Sequence, residues 1–128
     1  MALKVYVVED SPLIVERLRE MLGAIDGTEI AGHASEPGAA IGAILAARPD
    51  IVVLDIKLGD DSGFDVLRAV HDRAPAIDVY MLSNFATEPY RRLAERLGAR
   101  GFFDKSTEFE HVRDVIAARA RAHREVRP

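Results

Sequence analysis

Cysteine is absent from the 128 residues, which excludes a disulfide scaffold, a Cys-ligated zinc site and a thiol nucleophile. Long apolar runs are absent as well. Runs such as Ile51-Val52-Val53-Leu54 fall far short of the roughly 20 residues that a membrane-spanning helix needs. The start, Met1-Ala2-Leu3-Lys4, begins a strand-like pattern without the charged and then apolar regions of a secretory signal. A soluble, cytoplasmic protein is the expectation. Nor is there a basic excess: 17 Lys and Arg against 21 Asp and Glu give a net charge of −4, so the chain as a whole is not built to bind a polyanion.

What is present suffices for one packed domain. Of the residues, 48% are hydrophobic, enough for a real core, while the length is too short for two domains. The domain is expected over 1–128, with a core over about 3–122 and a tail over about 123–128. Residues 111–128 carry five Arg against Asp114 and Glu125, a local +3 that leaves −7 on residues 1–110. Any strongly acidic site must lie in that body.

Short β-branched runs alternate with helix-length segments, the signature of an α/β fold. Strands are expected at Leu3 to Val8, Glu29 to Ala34, Ile51 to Leu54, Asp78 to Leu82 and Gly101 to Phe103. The third is apolar throughout, as a central strand covered on both faces should be. The first helix follows a Ser11 cap and Pro12, with Ile14, Leu18, Met21, Leu22 and Ile25 on one face. A second runs from Pro37 to Ala47 with Ile41, Ile44 and Leu45 inward, and stops before Pro49. A third lies near Asp65 to Ala74, using Leu67 and Val70. The fourth is capped by Thr87, carries Tyr90, Leu93, Ala94 and Leu97, and stops at Gly98. The fifth begins near Ser106 or Thr107 and buries Phe109, Val112 and Ile116. Because parallel crossovers are right-handed, five such units suit an open, doubly wound, five-stranded parallel sheet. Ligands bind such sheets beyond the carboxyl ends of the strands.

Those ends carry chemistry. The first strand ends in Glu9-Asp10, the third in Asp55, the fourth in Ser83 and the fifth in Asp104-Lys105. In the strand order 2-1-3-4-5 they would share one rim. Glu9, Asp10 and Asp55 give −3, which Lys105 reduces to −2. An oxygen-only set without His or Cys selects a hard divalent ion such as Mg²⁺. Acids beside such an ion, with a cation and a hydroxyl aimed at the same point, suit phosphoryl transfer, in which an ionised Asp can itself be the nucleophile.

The chain resembles a response-regulator receiver domain over essentially its whole length. The resemblance rests on Val7-Val8-Glu9-Asp10-Ser11, on Val52-Val53-Leu54-Asp55-Ile56-Lys57-Leu58 with Gly63 eight residues beyond Asp55, on Leu82-Ser83, and on Gly101-Phe102-Phe103-Asp104-Lys105. It implies the flavodoxin-like, CheY-like (βα)5 fold with sheet order 2-1-3-4-5. It also implies that Asp55 accepts a phosphoryl group from a phosphohistidine of a sensor histidine kinase or histidine phosphotransfer protein. Glu9, Asp10, Asp55 and the Lys57 backbone carbonyl would hold Mg²⁺. Lys105 would neutralise a phosphoryl oxygen, Ser83 would move to another, and Phe102 would follow as the mobile ring, with Phe103 in the core. Output would be read on the face of the fourth helix, fifth strand and fifth helix by an effector protein or output domain, with phosphorylation-dependent homodimerisation left open. The domain would catalyse only its own phosphorylation and dephosphorylation, not a reaction on a metabolite, and would bind neither nucleic acid nor membrane.

Three departures from the family pattern carry consequences. Gly59 stands where proline is common, so the following loop should be more flexible. Ser106 follows Lys105 in place of proline, so that peptide should be trans. Phe102 replaces the commoner tyrosine. Lys57 and Phe85, each two residues beyond a site residue, are bulky and are expected to slow access of the hydrolytic water and lengthen the phosphoryl lifetime.

Simpler readings exist for each residue alone. Glu9-Asp10 could serve a helix N-terminus, Asp55 a turn, Ser83 a cap, and Lys105 an exposed position with a buried stem. His33, His71, His111 and His123 lie at no strand-end cluster and are expected on the surface. The Arg-bearing segment Arg113 to Arg127 reads as the solvated face of the last helix, without the interleaved aromatics of a nucleic-acid surface. Three other functions compete. A small Mg²⁺ phosphohydrolase usually needs an acid two residues beyond its nucleophile, where this chain has Lys57. A flavin carrier needs a Gly- and hydroxyl-rich phosphate loop where this chain has Glu9-Asp10-Ser11-Pro12. The third is an unphosphorylated receiver-like interaction module. The chain would be either a stand-alone regulator or a piece of a longer one.

Overall fold

Apolar β-branched and aromatic residues make the first extended run a strand, β1 (Leu3–Val8). The computed structural model describes residues 2–125; Met1 and residues 126–128, including Arg127 and Pro128 of the expected tail, lie outside the described residues. Helix α1 (Pro12–Gly23) follows, with the Ser11 hydroxyl accepting the Ile14 N–H. Then come β2 (Thr28–Ala34), α2 (Pro37–Ala47), β3 (Ile51–Leu54), the short strands β4 (Lys57–Leu58) and β5 (Asp61–Ser62), α3 (Gly63–Arg73), β6 (Asp78–Ser83), α4 (Glu88–Arg96), β7 (Gly101–Asp104) and α5 (Phe109–Glu125).

Five strands form one sheet in the order β2-β1-β3-β6-β7, every neighbouring pair parallel. Counted within this sheet, that is the expected order 2-1-3-4-5. Central β3 is buried at all positions, because helices cover both faces. On one face Val52, Leu54 and Met81 pack with Ile44 of α2, Leu67 and Val70 of α3 and Ala94 of α4. On the other, Val5, Val7 and Val53 pack with Leu18 and Leu22 of α1 and Val112 and Ile116 of α5. Truncating one such enclosed Leu or Ile to Ala costs about 2–5 kcal/mol. Among the described residues no helix is long and apolar enough to cross a membrane.

The register matters for function. Val8 pairs with Leu54, Leu54 with Met81, and Ser83 with Asp104. The carboxyl ends of β1, β3, β6 and β7 therefore finish side by side along one edge of the sheet.

Several local expectations need correction. In α1 the fully buried face is Val15, Leu18 and Leu22, with Ile14 and Met21 at its margin and Ile25 beyond the helix end; the helix is rotated so that the β-branched Val15 points at the sheet. Helix α3 starts at Gly63 rather than near Asp65, because Ser62 caps it by accepting the Phe64 N–H. Helix α5 starts at Phe109, since Asp104 draws the preceding residues into a turn by accepting the Ser106 N–H. Thr87 sits at the α4 N-cap position without a side-chain cap bond, and Tyr90 is exposed. Phe103 is half-buried rather than enclosed, at the margin of the α1/α5 cluster. Arg119 does not belong to the solvated face: it pairs with Asp78 and reaches the Tyr80 hydroxyl, tying α5 to β6.

The short strands β4 and β5 were not expected. Lys57 pairs with Ser62 and Leu58 with Asp61, leaving Gly59-Asp60 as a two-residue hairpin loop. Gly59 has φ of +63°, and positive φ at the first loop position suits the right-handed strand twist. A Gly-Asp pair between two short extended segments was the available signal. Gly59 thus stands at the first position of a defined two-residue turn.

Candidate functional site

Leu54 ends β3 inside the sheet, so the next side chain, Asp55, emerges at the rim while remaining buried. Its Oδ1 accepts the Ile56 N–H at 2.7 Å. Glu9, one residue past β1, is equally enclosed and accepts the Ser11 N–H at 3.0 Å. Asp10 is exposed beside it and accepts the Gly59 N–H at 2.9 Å, so the unexpected hairpin orients this carboxylate. One carboxylate oxygen from each of Glu9, Asp10 and Asp55 lies within 4.8 Å of the others.

Lys105, one residue past β7, spans two of the three acids. Its Nζ lies 2.6 Å from Glu9 Oε1 and 2.8 Å from Asp55 Oδ2, and its side chain is only 9% exposed. Burial pushes the Glu9 carboxyl up from its ordinary range, against the opposing pull of the Lys105 and Ser11 hydrogen bonds. Burial alone would pull Lys105 down, but the contacts with Asp55 and Glu9 outweigh it and its net shift is upward. The Lys105–Ser106 peptide is trans, as expected.

These four residues open onto a cleft of about 450 Å³, also lined by Arg17, Lys57, Asn84, Phe85 and Ser106. The Lys57 ammonium stands 6.0 Å from the Phe85 ring centroid, so the two bulky residues come together in the lining of the cleft. Ser83 is adjacent but fully enclosed, its hydroxyl accepting the Phe85 N–H at 3.1 Å. Phe102 does not line the cleft. It is half-buried and packs against the α2/α3/α4 face, with the Arg91 guanidinium 5.0 Å from its ring centroid.

The expected site residues therefore fall into two groups. Glu9, Asp10, Asp55 and Lys105 are in mutual reach, with Lys57 and Ser83 beside them; Phe102 lies one sheet layer away. None of the four histidines joins the cluster. His33 instead meets Arg19 across the α1/β2 edge, and His111 lies 3.8 Å from Glu108. Sequence reasoning missed Arg17, Asn84 and the Gly59 amide. Asn84 follows Ser83 directly and was within reach of the strand-end argument; Arg17 lies on a helix, where that argument does not look.

The donor set fits a hard cation. Three carboxylates converge with no nitrogen or sulfur ligand among them, which suits Mg²⁺. The Lys105 ammonium supplies countercharge to Glu9 and Asp55. Gly63 explains its own spacing from Asp55: a Cβ there would overlap the Asp55 carbonyl oxygen, so only glycine lets α3 start against the site.

Known proteins similar to this chain in sequence and shape are consistent in kind. The family model for the response regulator receiver domain matches residues 5–117. The DNA-binding transcriptional activator DevR/DosR of Mycobacterium tuberculosis is 30% identical over 91% of this chain and 56% of its own length. A protein-glutamate methylesterase/protein-glutamine glutaminase of Anaeromyxobacter dehalogenans is 34% identical over 93% of this chain and 36% of its own length. The chain thus spans about half, or less, of these curated relatives. Among solved structures, the response regulator domain of Thermotoga maritima CheB superposes with a TM-score of 0.82 at 24% identity, covering 100% of both chains. The BeF3-activated N-terminal receiver domain of Klebsiella pneumoniae RstA gives 0.77 at 25% identity over 94% of this chain and 97% of that one.

Proposed function

The chain belongs to the response-regulator receiver domain family, whose general function is phosphorylation-based signalling, and from that premise we propose that Asp55 is its phosphoacceptor. The observation that carries this is the Lys105 bridge: an ammonium held against a buried, ionisable Asp55 at the sheet rim. An Asp55 carboxylate oxygen attacks phosphorus in line, the P–N bond of a donor phosphohistidine breaks, and the imidazole leaves with the electron pair. Lys105 moves from the carboxylate to a phosphoryl oxygen, neutralising charge where it accumulates. Glu9, Asp10 and Asp55, with the Lys57 backbone carbonyl, would hold Mg²⁺, which when bound withdraws negative charge from the phosphoryl oxygens. Ser83 rotates its hydroxyl away from the Phe85 amide to donate to the phosphoryl group, and Phe102 shifts with it.

Lys57 and Phe85 cover the cleft and slow attack by water. The donor is a sensor histidine kinase or a histidine phosphotransfer protein, and the α4–β7–α5 face serves the output. That output belongs to an effector protein or another domain, in keeping with relatives roughly twice as long or more. The domain catalyses only phosphoryl gain and loss at its own aspartate, acts in the cytoplasm, and fills the span 1–128 with a core over about 3–122.

Intact-protein mass after incubation with acetyl phosphate tests this reading, with and without Mg²⁺, for wild type and Asp55→Asn. The expected result is a Mg²⁺-dependent gain of one phosphoryl group that vanishes in the variant. A gain that persists in Asp55→Asn refutes the assignment. No gain from either acetyl phosphate or a phosphohistidine donor points to an unphosphorylated interaction module.

A further inference from the structure

We propose that Arg91 is a positioning residue that latches the switch, holding the β6–α4 loop, β7 and the start of α5 in the arrangement seen here. The inference rests on the receiver reading above and adds a restraint that reading does not contain. Arg91 Nε donates to the Ala86 carbonyl at 3.1 Å, Nη1 to the Phe102 carbonyl at 3.2 Å, and Nη2 to Glu108 Oε1 at 3.1 Å. The guanidinium face also stacks 5.0 Å from the Phe102 ring centroid. Glu108 Oε1 in turn accepts the Asp104 N–H at 3.0 Å. One planar fork thus joins three chain segments, a task a single ammonium could not perform.

These are not ordinary surface contacts. The Arg91–Glu108 pair has side chains 34% and 31% exposed, whereas the single-contact pair Arg92–Glu88 on the same helix is 76% and 66% exposed. The hydrogen bonds to Glu108 from the Asp104 amide and from Arg91 also hold its carboxyl below the ordinary range.

Both ends of the latch lead to the site by short covalent paths. Ala86 follows Phe85, whose amide holds the Ser83 hydroxyl. Asp104 precedes Lys105, and Phe102 is the ring expected to move. Drawing Ser83 toward a phosphoryl group at Asp55, with Phe102 following it, pulls against the contacts to Ala86, Phe102 and Glu108. The latch therefore favours the arrangement seen here. By linkage, releasing it strengthens binding of any group that prefers the switched one.

The test is a titration with beryllium fluoride and Mg²⁺, which mimic a phosphoryl group on a carboxylate. Binding is followed through the Phe102 and Asp104 amide resonances by two-dimensional NMR. Arg91→Ala is expected to bind roughly three- to tenfold more tightly than wild type, the size of shift that loss of one or two net hydrogen bonds produces. Arg91→Lys and the isosteric Glu108→Gln should fall between the two. Unchanged or weaker binding in Arg91→Ala, or a fall in melting temperature without tighter binding, overturns the latch and identifies Arg91 as merely structural. Should Arg91→Ala not fold, Glu108→Gln decides by the same criterion. Wild type failing to bind beryllium fluoride overturns instead the receiver reading on which the latch rests.

Discussion

Lys105 offers the sharpest perturbation, because one ammonium satisfies two enclosed carboxylates. Removing it in Lys105→Ala leaves Glu9 and Asp55 facing each other without a countercharge, at side-chain exposures of 2% and 8%. Breaking a buried ion pair costs about 3–5 kcal/mol. Proton uptake relieves part of this, since burial already raises the Glu9 carboxyl and loss of the cation raises it further. The expected loss of metal-free stability at neutral pH is therefore about 3 kcal/mol, the low end of that range. Mg²⁺ affinity should move the other way. In wild type, a cation approaching the three acids must displace at least one of two charge-assisted contacts, each worth about 1.5–3 kcal/mol. The variant is spared that cost, so its Mg²⁺ dissociation constant should fall roughly ten- to hundredfold. Urea unfolding followed by circular dichroism, repeated over a Mg²⁺ series, reads both quantities: the variant starts less stable and gains more from the ion. A variant that binds Mg²⁺ no better than wild type would refute the claim that Lys105 and the cation compete for the same carboxylates.

Further consequences follow from the same geometry. Asp10→Asn keeps an oxygen for the Gly59 amide but removes a formal charge from the acid cluster, and should raise the Mg²⁺ needed for phosphorylation by well over about tenfold, measured by calorimetric titration. Gly63→Ala forces a methyl into the Asp55 carbonyl; backbone must move, so a loss of about 1–3 kcal/mol in chemical denaturation is expected together with slower phosphorylation. Glu108 has a folded pKa below its ordinary value of 4.5, so its stabilising contribution is present above that value and is lost as pH falls through the folded pKa. Melting curves of Glu108→Gln and wild type should therefore converge below pH 4.5 and separate above it, with wild type the more stable. Equal pH dependence in the two proteins would contradict the Glu108 contacts. Lys57→Ala with Phe85→Ala should shorten the phosphoryl lifetime, seen as faster loss of the added mass after the donor is removed.

Much of the fold is legible in the sequence. The apolar run Ile51 to Leu54 declared a central strand, Ser11-Pro12 and Pro37 declared helix starts, and periods of two and near four residues separated strands from helices, because these signals are local and act within a turn or a strand. The strand ends Glu9, Asp10, Asp55, Ser83 and Lys105 were legible for the same reason: in a parallel sheet, position along the chain largely dictates which edge a residue occupies. Contacts between distant segments were not. That Lys105 bridges Glu9 and Asp55, that the Gly59 amide holds Asp10 across 49 residues, and that Gly63 must lack a Cβ beneath the Asp55 carbonyl depend on how helices and loops pack on the sheet. So does the placement of Phe102, which alternation along β7 and the covering α4 turn to the α2/α3/α4 face. Sequence by itself determined the elements and the edge of the sheet where the chemistry gathers. Tertiary structure decided which charges neutralise one another there, and how Arg91 ties that edge to the face behind it, because side-chain direction and packing are set by the whole fold.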